Sequence, residues 1–207
     1  MRAALASVVA AWFVVGLFVP AANADSGVQA IQSRLLKSEM LRAEFYQEKN
    51  LRALSRPLIS RGKLLFVAGE GVLWQVEKPF TVSVLIRSDE VIEWSSEGEV
   101  TRLNTGSNPV FRALSEIILA TLSGDTQFLG QLFDLSSTVS EAGWQLLLQP
   151  KSEELAAAVS NIKIIGDRFV EEVQVSETKG DITVLQFREF KVGPFELNEF
   201  EKNHFAQ

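Results

Sequence analysis

Apolar residues recur with period two along most of this chain, the spacing of half-buried strands, and with helical spacing in only a few stretches. Val28, Ile31, Leu35 and Met40 fall three to five residues apart, with Arg34 and Lys37 between them, and predict a short opening helix. From Leu41 the period changes. Leu41, Ala43 and Phe45 alternate with Arg42, Glu44 and Tyr46, a strand that runs into Gln47-Glu48-Lys49. Strands are then predicted at Leu58–Val67, Val72–Val76, Phe80–Arg87, Val91–Ser95 and Glu99–Leu103. They are separated by Ala68-Gly69-Glu70-Gly71, Glu77-Lys78-Pro79, Ser88-Asp89-Glu90 and Ser96-Glu97-Gly98. Strands this short, spaced about ten residues apart, point to an all-β sandwich or barrel.

The period then turns helical. Ser107 or Asn108 can cap a helix, Pro109 sits where a first-turn proline is tolerated, and Gly124 can end it. Phe111, Leu114, Ile117, Ile118 and Leu122 form its apolar stripe, which Val110, Leu119 and Ala120 widen. A second short helix is expected after Asp125, carrying Phe128, Leu129, Leu132 and Phe133. Both are more apolar than a one-sided surface helix. Strand character returns at Trp144, Leu146 and Leu148, stopped by Pro150, and Ser152-Glu153-Glu154-Leu155 begins a helical turn with acids at its positive end. Ile162–Ile165, Phe169–Val175 and Ile182–Phe190 are further strands, and the tail from Val192 to Phe205 is expected to add an edge strand. No repeat or linker divides the chain.

The first residues read differently. Arg2 precedes an uncharged apolar run, Ala3 to Val19, and Pro20-Ala21-Ala22-Asn23-Ala24 ends in an A-x-A pattern. This predicts an export signal over residues 1–24, cleaved after Ala24, and a single mature domain over 25–207. At about 17 residues the run is short for a spanning helix. The full chain carries a formal charge of −6, and the mature part loses only Arg2 from the balance. An acidic chain argues against a nucleic-acid partner. With no cysteine there can be no disulfide framework, thiolate metal site or cysteine nucleophile. The missing cysteine also excludes lipidation at the cleavage point, so a soluble periplasmic protein is expected.

Candidate chemistry is sparse. His204 is the sole histidine and lies near the C-terminus, where disorder is the usual expectation. Without a second histidine or any cysteine there is no triad and no zinc site, and neither a phosphate loop nor a nucleophile elbow is present. The pairs Glu153-Glu154 and Glu171-Glu172 read as solvated neighbours. No enzyme activity, cofactor or metal is therefore expected. What the chain does supply is large apolar side chains: of 14 Phe and four Trp, only Phe13, Phe18 and Trp12 lie in the leader. A curled sheet bearing these can fill its interior or hold a ligand, and two apolar helices can cover its open end.

Several segments together resemble the periplasmic lipoprotein-carrier family, LolA with its membrane-anchored relative LolB. They are Phe45-Tyr46-Gln47-Glu48-Lys49, Gly62-Lys63-Leu64-Leu65-Phe66, Gly71-Val72-Leu73-Trp74 and Lys78-Pro79-Phe80. Leu147-Leu148-Gln149-Pro150, Lys179-Gly180-Asp181-Ile182-Thr183 and the Phe187-to-Phe195 end are similar too. The resemblance implies an unclosed antiparallel β-barrel, a curved sheet whose hollow is covered by a helical lid. It implies shielding of acyl chains in that hollow between an inner-membrane exporter as donor and an outer-membrane acceptor. The absent cysteine places the chain with the soluble carriers, as a monomer. The expected cavity wall is Phe45, Phe66, Trp74, Phe80, Ile86, Trp94, Trp144, Leu146, Phe169 and Phe187, and the expected lid Phe111, Leu114, Ile117, Ile118, Phe128 and Leu132. Family members of the standard type carry an Arg-Pro before the aromatic-W strand, whose arginine holds the lid by backbone carbonyls. Here Ala68-Gly69-Glu70-Gly71 stands there, and Arg56, Arg61 and Lys63 lie nearby in sequence. That departure opens the cargo to other acylated molecules, such as a glycolipid or pigment-lipid ester. Two rival expectations are a lipid-binding sensor module of the envelope and a structural β-domain with a full core and no ligand.

Overall fold

A computed structural model describes residues 24–95, 98, 100–104, 115–120 and 129–207. Residues 1–23 of the predicted export signal, the helix ends expected at Ser107–Pro109 and Gly124, and the lid candidates Phe111, Leu114 and Phe128 lie outside the described residues. Eleven strands follow in chain order: β1 Met40–Asn50, β2 Leu58–Val67, β3 Gly71–Lys78, β4 Val82–Ile86, β5 Glu90–Trp94, β6 Val100–Asn104, β7 Phe133–Ser140, β8 Gly143–Pro150, β9 Val159–Gly166, β10 Val170–Glu177 and β11 Ile182–Gly193. Helices are α1 Ala24–Arg34, α2 at residues 115–120, α3 Leu129–Leu132, α4 Glu153–Ala156 and α5 Glu199–Phe205.

All eleven strands join one antiparallel sheet in the order β6-β5-β4-β3-β2-β1-β11-β10-β9-β8-β7. It is two meanders, β1–β6 and β7–β11, zipped together where β1 pairs with β11 from Met40↔Gly193 to Asn50↔Ile182. The sheet is not closed: β6 and β7 are its edges, and the chain passes from one edge to the other through α2 and α3. Its curvature follows from side-chain geometry. In a flat sheet β3 and β11 would lie about 14 Å apart, three strand spacings. Yet the Trp74 and Phe187 rings are 5.9 Å apart at their centroids, edge to face, and Phe45 on β1 lies 4.4 Å from Trp74. These side chains converge because they stand on the inside of a bend. Gly62 on β2 lies opposite Phe45, and a Cβ there would run into the Gln75 carbonyl on β3.

The inside of the bend carries the main core. Leu41, Ala43, Phe45, Leu64, Phe66, Val72, Trp74 and Ile86 meet Trp144, Leu146, Leu148, Ile162, Ile164, Val173 and Phe187 in a single buried cluster. A bulge in β11 sets Glu189 and Phe190 against one β1 residue, with Glu189 in the left-handed region at φ 53°. It shifts the alternation by one, so Phe187 and Phe190 both face inward.

The outer face has a smaller core of its own: Leu65, Leu73, Leu85 and Ile92, covered by Phe205 of α5. Here the structure corrects the expected edge strand at 192–205. Strand β11 ends at Gly193 and the tail turns back as a helix. Asn198 caps α5 by accepting from Glu201 N–H, while Glu201 Oε2 accepts from Asn198 N–H, each at 2.9 Å. Buried Glu201 also receives Arg42 Nη2 at 2.8 and 3.1 Å, and Arg42 lies over the Phe195 ring. At the other end Arg87 donates to the Phe205 and Gln207 carbonyls at 2.7 and 3.0 Å, where a cation meets the negative helix terminus. His204 lies in α5, its ring 3.9 Å from Phe200 and 4.5 Å from Trp94.

A second correction concerns residues 133–140. Phe133 does not end a helix; it opens β7, a strand the sequence pattern gives to no element. Asp134, Ser136, Thr138 and Ser140 hide a genuine alternation of Phe133, Leu135 and Val139.

Glu201→Ala removes a carboxylate shared by an ion pair and a capping box. Arg42 retains some access to water, so the expected loss is about 2 kcal/mol, between the exposed and buried limits. A urea midpoint lowered for Glu201→Ala and unchanged for the exposed neighbour Glu199→Ala is the expected outcome.

Candidate functional site

The concave face is built by strand parity. Alternate positions of each strand share a face, so the apolar member of each pair goes inward and charged partners such as Glu44, Lys63 and Arg188 go outward. Lys63 donates to Glu77 at 2.7 Å on that outer face, and this hydrogen bond, with the carboxylate's charge, raises its pKa above the ordinary lysine value. Among the described residues the cluster on the inner face is made of apolar side chains from both halves of the sheet.

Of the ten expected wall residues, Phe45, Phe66, Trp74, Ile86, Trp144, Leu146 and Phe187 are buried in this cluster. Phe169 packs against it half-buried, stacked on Phe190 at 4.5 Å. Trp144 also donates its indole N–H to the Asp167 carbonyl at 2.7 Å, so the one polar atom of that ring is satisfied. Phe80 and Trp94 go elsewhere. Strand β4 begins only at Val82, which leaves Phe80 in the β3–β4 turn and 75% exposed. Trp94 falls on the outer parity of β5, with Ile92, and packs beneath α5.

Among the expected lid residues, Ile117 is buried in the cluster and Ile118 and Leu132 pack against it half-buried. Ala120 and Leu129, which belong to the two apolar helical stripes, are buried on the same face. The sequence pattern did not assign Ile31 of α1, or Leu35 just past its end, to the cover, and both are buried there. Their signal was the 28–40 stripe, which marks an amphipathic helix without saying which face of the sheet it meets. Arg34 fixes the end of α1, donating to the Ser140 carbonyl at 2.6 Å.

The rim of the hollow opens between the β2–β3 and β4–β5 turns. There a cavity of ≈340 Å³ is lined by Phe66, Gly69, Glu70, Arg87, Asp89 and Leu119. Arg87 borders the turn where the resemblance places a lid arginine, and nothing in the sequence flagged it. Its guanidinium is engaged by the Glu70 carbonyl at 3.3 Å, the Glu90 carboxylate at 3.0 Å and the end of α5. Arg56 and Arg61 are exposed, away from this rim. Two larger grooves, ≈600 and ≈580 Å³, lie on the outer face among charged residues such as Glu44, Lys63 and Glu77.

The profile of the outer membrane lipoprotein carrier protein LolA matches residues 36–202. The chain belongs to this family. No curated protein gives a significant match. A DUF1329 family protein from Desulfovibrio piger shares the fold at a TM-score of 0.52 with 11% identity, covering 89% of this chain and 99% of its own. A putative outer membrane lipoprotein-sorting protein domain from Vibrio parahaemolyticus aligns at 0.49 with 12% identity, over 89% of this chain and all (100%) of that one. A LolA superfamily protein from Nitrosomonas europaea aligns at 0.44 with 7% identity, over 84% and 94%. The LolA membership and the open eleven-stranded sheet agree on a carrier-like fold. Among the described residues no helix is long and apolar enough to cross a membrane.

Phe45→Ala should lower stability by about 3 kcal/mol through the cavity it leaves between Trp74 and Gly62, whereas Phe80→Ser should change it by less than about 0.5 kcal/mol. Urea unfolding of the two variants tests both assignments.

Proposed function

We propose that this chain is a periplasmic carrier, acting as a monomer and without chemistry. It shields the acyl chains of a lipoprotein or another lipidated molecule on the way from an inner-membrane exporter to an outer-membrane acceptor. The observation that carries the reading is the concave face: a continuous apolar surface on an unclosed sheet, covered by helices that meet it through Ile31, Leu35, Ile117 and Ala120. Such a cover can exchange with lipid, because an acyl chain replaces like contacts with like.

The energetics favour a shuttle over a sink. Each CH₂ removed from water contributes about 0.8 kcal/mol, so a long acyl chain gains roughly 10 kcal/mol in the hollow. Either membrane offers the same gain. Helices that refill the hollow on unloading lower the net affinity to a range in which release is possible. The engagement of Arg87 by the C-terminal helix, and the absence of arginine from Ala68–Gly71, support widening the cargo to acylated molecules other than lipoproteins.

Ile118→Glu should weaken binding of a fluorescent fatty acid at least about tenfold while circular dichroism stays native, since the half-buried position tolerates a carboxylate better than it tolerates one facing lipid. A variant that unfolds instead would make Ile118 plain core. Native mass spectrometry of protein recovered from periplasm, followed by lipid extraction, should reveal an acyl species. Apo protein that also fails to bind the fatty acid would overturn the carrier.

A further inference from the structure

One end of the sheet is unlike the rest of the surface. The turns β1–β2, β3–β4 and β10–β11 all lie at the end where β1, β3 and β10 finish and β2, β4 and β11 begin. Five large apolar side chains stand exposed there: Phe80 at 75%, Leu58 at 51%, Leu54 and Ile59 at 49% each, and Ile182 at 38%. They form a row along the end of the sheet, on both of its faces: Leu58 of β2 pairs with Lys49 and Ile182 of β11 with Asn50, successive β1 residues of opposite parity, and Phe80 follows Lys78, which pairs with Arg61 on β2.

Cations flank this row. Arg56, Arg61, Lys78 and Lys179 carry no ion pair among the described residues, and Arg52 belongs to the same turns. Of the nearby acids, Glu177 pairs with Lys49 at 3.0 Å and Glu77 with Lys63 at 2.7 Å, while Asp181 accepts from the Arg52 backbone N–H at 2.9 Å and Glu48 from the Asn50 amide at 3.1 Å, so Arg52, Arg56, Arg61, Lys78 and Lys179 outnumber the two unneutralised carboxylates. Arg52 also donates to the Lys179 carbonyl at 3.3 Å, and its stem packs on Gly180, so the β1–β2 and β10–β11 turns are held together before any ligand arrives. The opposite end carries Glu70, Asp89, Glu141 and Asp167 in its turns, with Arg87 and Arg168 among them. Further along the same rim Glu153 and Glu154 of α4 make the β8–β9 corner acidic, so the basic apolar stretch has an edge.

We propose that the Leu54–Leu58–Phe80–Ile182 end is a docking face for a bilayer surface rich in anionic headgroups. Exposed aromatic and branched side chains enter the interface, and long cations at their margin reach the phosphates. A chain of net charge −6 is repelled by such a surface except through a locally basic end, so charge also fixes the orientation. The inference does not require cargo: an empty protein docks in the same way.

The test is flotation of the protein, as the cell produces it, with vesicles of phosphatidylethanolamine and phosphatidylglycerol. All variants share one N-terminus, so any contribution from the apolar run Ala3 to Val19 cancels between them. Binding should weaken with salt, by about fivefold for each cation removed in Arg56→Gln and Lys78→Gln. Phe80→Glu should weaken it about tenfold or more. Fatty-acid binding, measured alongside, should be unchanged in all three, which separates failure here from failure of the carrier. No binding by the wild-type protein, or binding that none of these variants alters, would overturn the proposal. So would equal binding to pure phosphatidylcholine. A vesicle-free complex with an envelope protein that Phe80→Glu abolishes would assign the face to a protein partner and overturn the bilayer.

Discussion

The pairing of β1 with β11 is the interaction on which the rest of the molecule depends. Every other strand contact is a hairpin between sequence neighbours, but this one joins residues 40–50 to residues 182–193. Without it the chain would be two separate meanders, each with an apolar face too narrow to bend around a core. The long pairing converts them into one sheet and brings Phe45, Trp74 and Phe187 together from three different strands. Loop closure over such a separation costs only slowly growing entropy, so the burden falls on folding rate more than on stability. The Glu189 bulge sits within this same pairing, and by shifting parity it adds Phe190 to the inner face.

That architecture leaves an open sheet with two apolar faces, and the two are covered by different physics. On the outside, α5 is held by directional contacts at both ends: Glu201 with Arg42 and the Asn198 cap at one, Arg87 at the other. Each removes a specific donor or acceptor from water, and none has a substitute elsewhere. On the inside, the side chains of Ile117, Ala120 and Leu129 join the apolar cluster, a contact that has no preferred partner, and directional bonds such as Lys151 N–H to the Leu132 carbonyl stand at its margin.

Much of this was legible in the sequence because period two assigns faces. Leu41, Ala43 and Phe45 are buried as the alternation requires, and β2 spans Leu58–Val67 as predicted. The failures have two physical origins. Where a strand is buried on both sides its alternation vanishes, and Leu64-Leu65-Phe66, Val72-Leu73-Trp74 and Val84-Leu85-Ile86 are unbroken apolar runs. Such runs announce a cover on the outer face, and α5 with Phe205 is that cover; with the tail assigned as an edge strand, Trp94 was assigned to the wrong side. Strand β7 was missed for the converse reason. Its outward residues are serines, threonine and aspartate, which also favour turns, and Phe133 was claimed by the helix before it.

On the carrier reading, the difference between the two faces decides which part of the molecule can open. Displacing α5 would carry Glu201 away from Arg42, leaving that part-buried guanidinium without its carboxylate, and would take the Phe205 and Gln207 carbonyls from Arg87, losses that a lipid cannot make good. Withdrawing an apolar side chain from the concave face exposes apolar surface, at about 25 cal/mol per Å², and an acyl chain returns that amount as it enters. Trp144 does not oppose the exchange, because its N–H is bound to Asp167 within the sheet and need not move. The same strands can therefore hold a permanent helix outside and an exchangeable filling inside, with no contact of the first kind broken when the second is replaced.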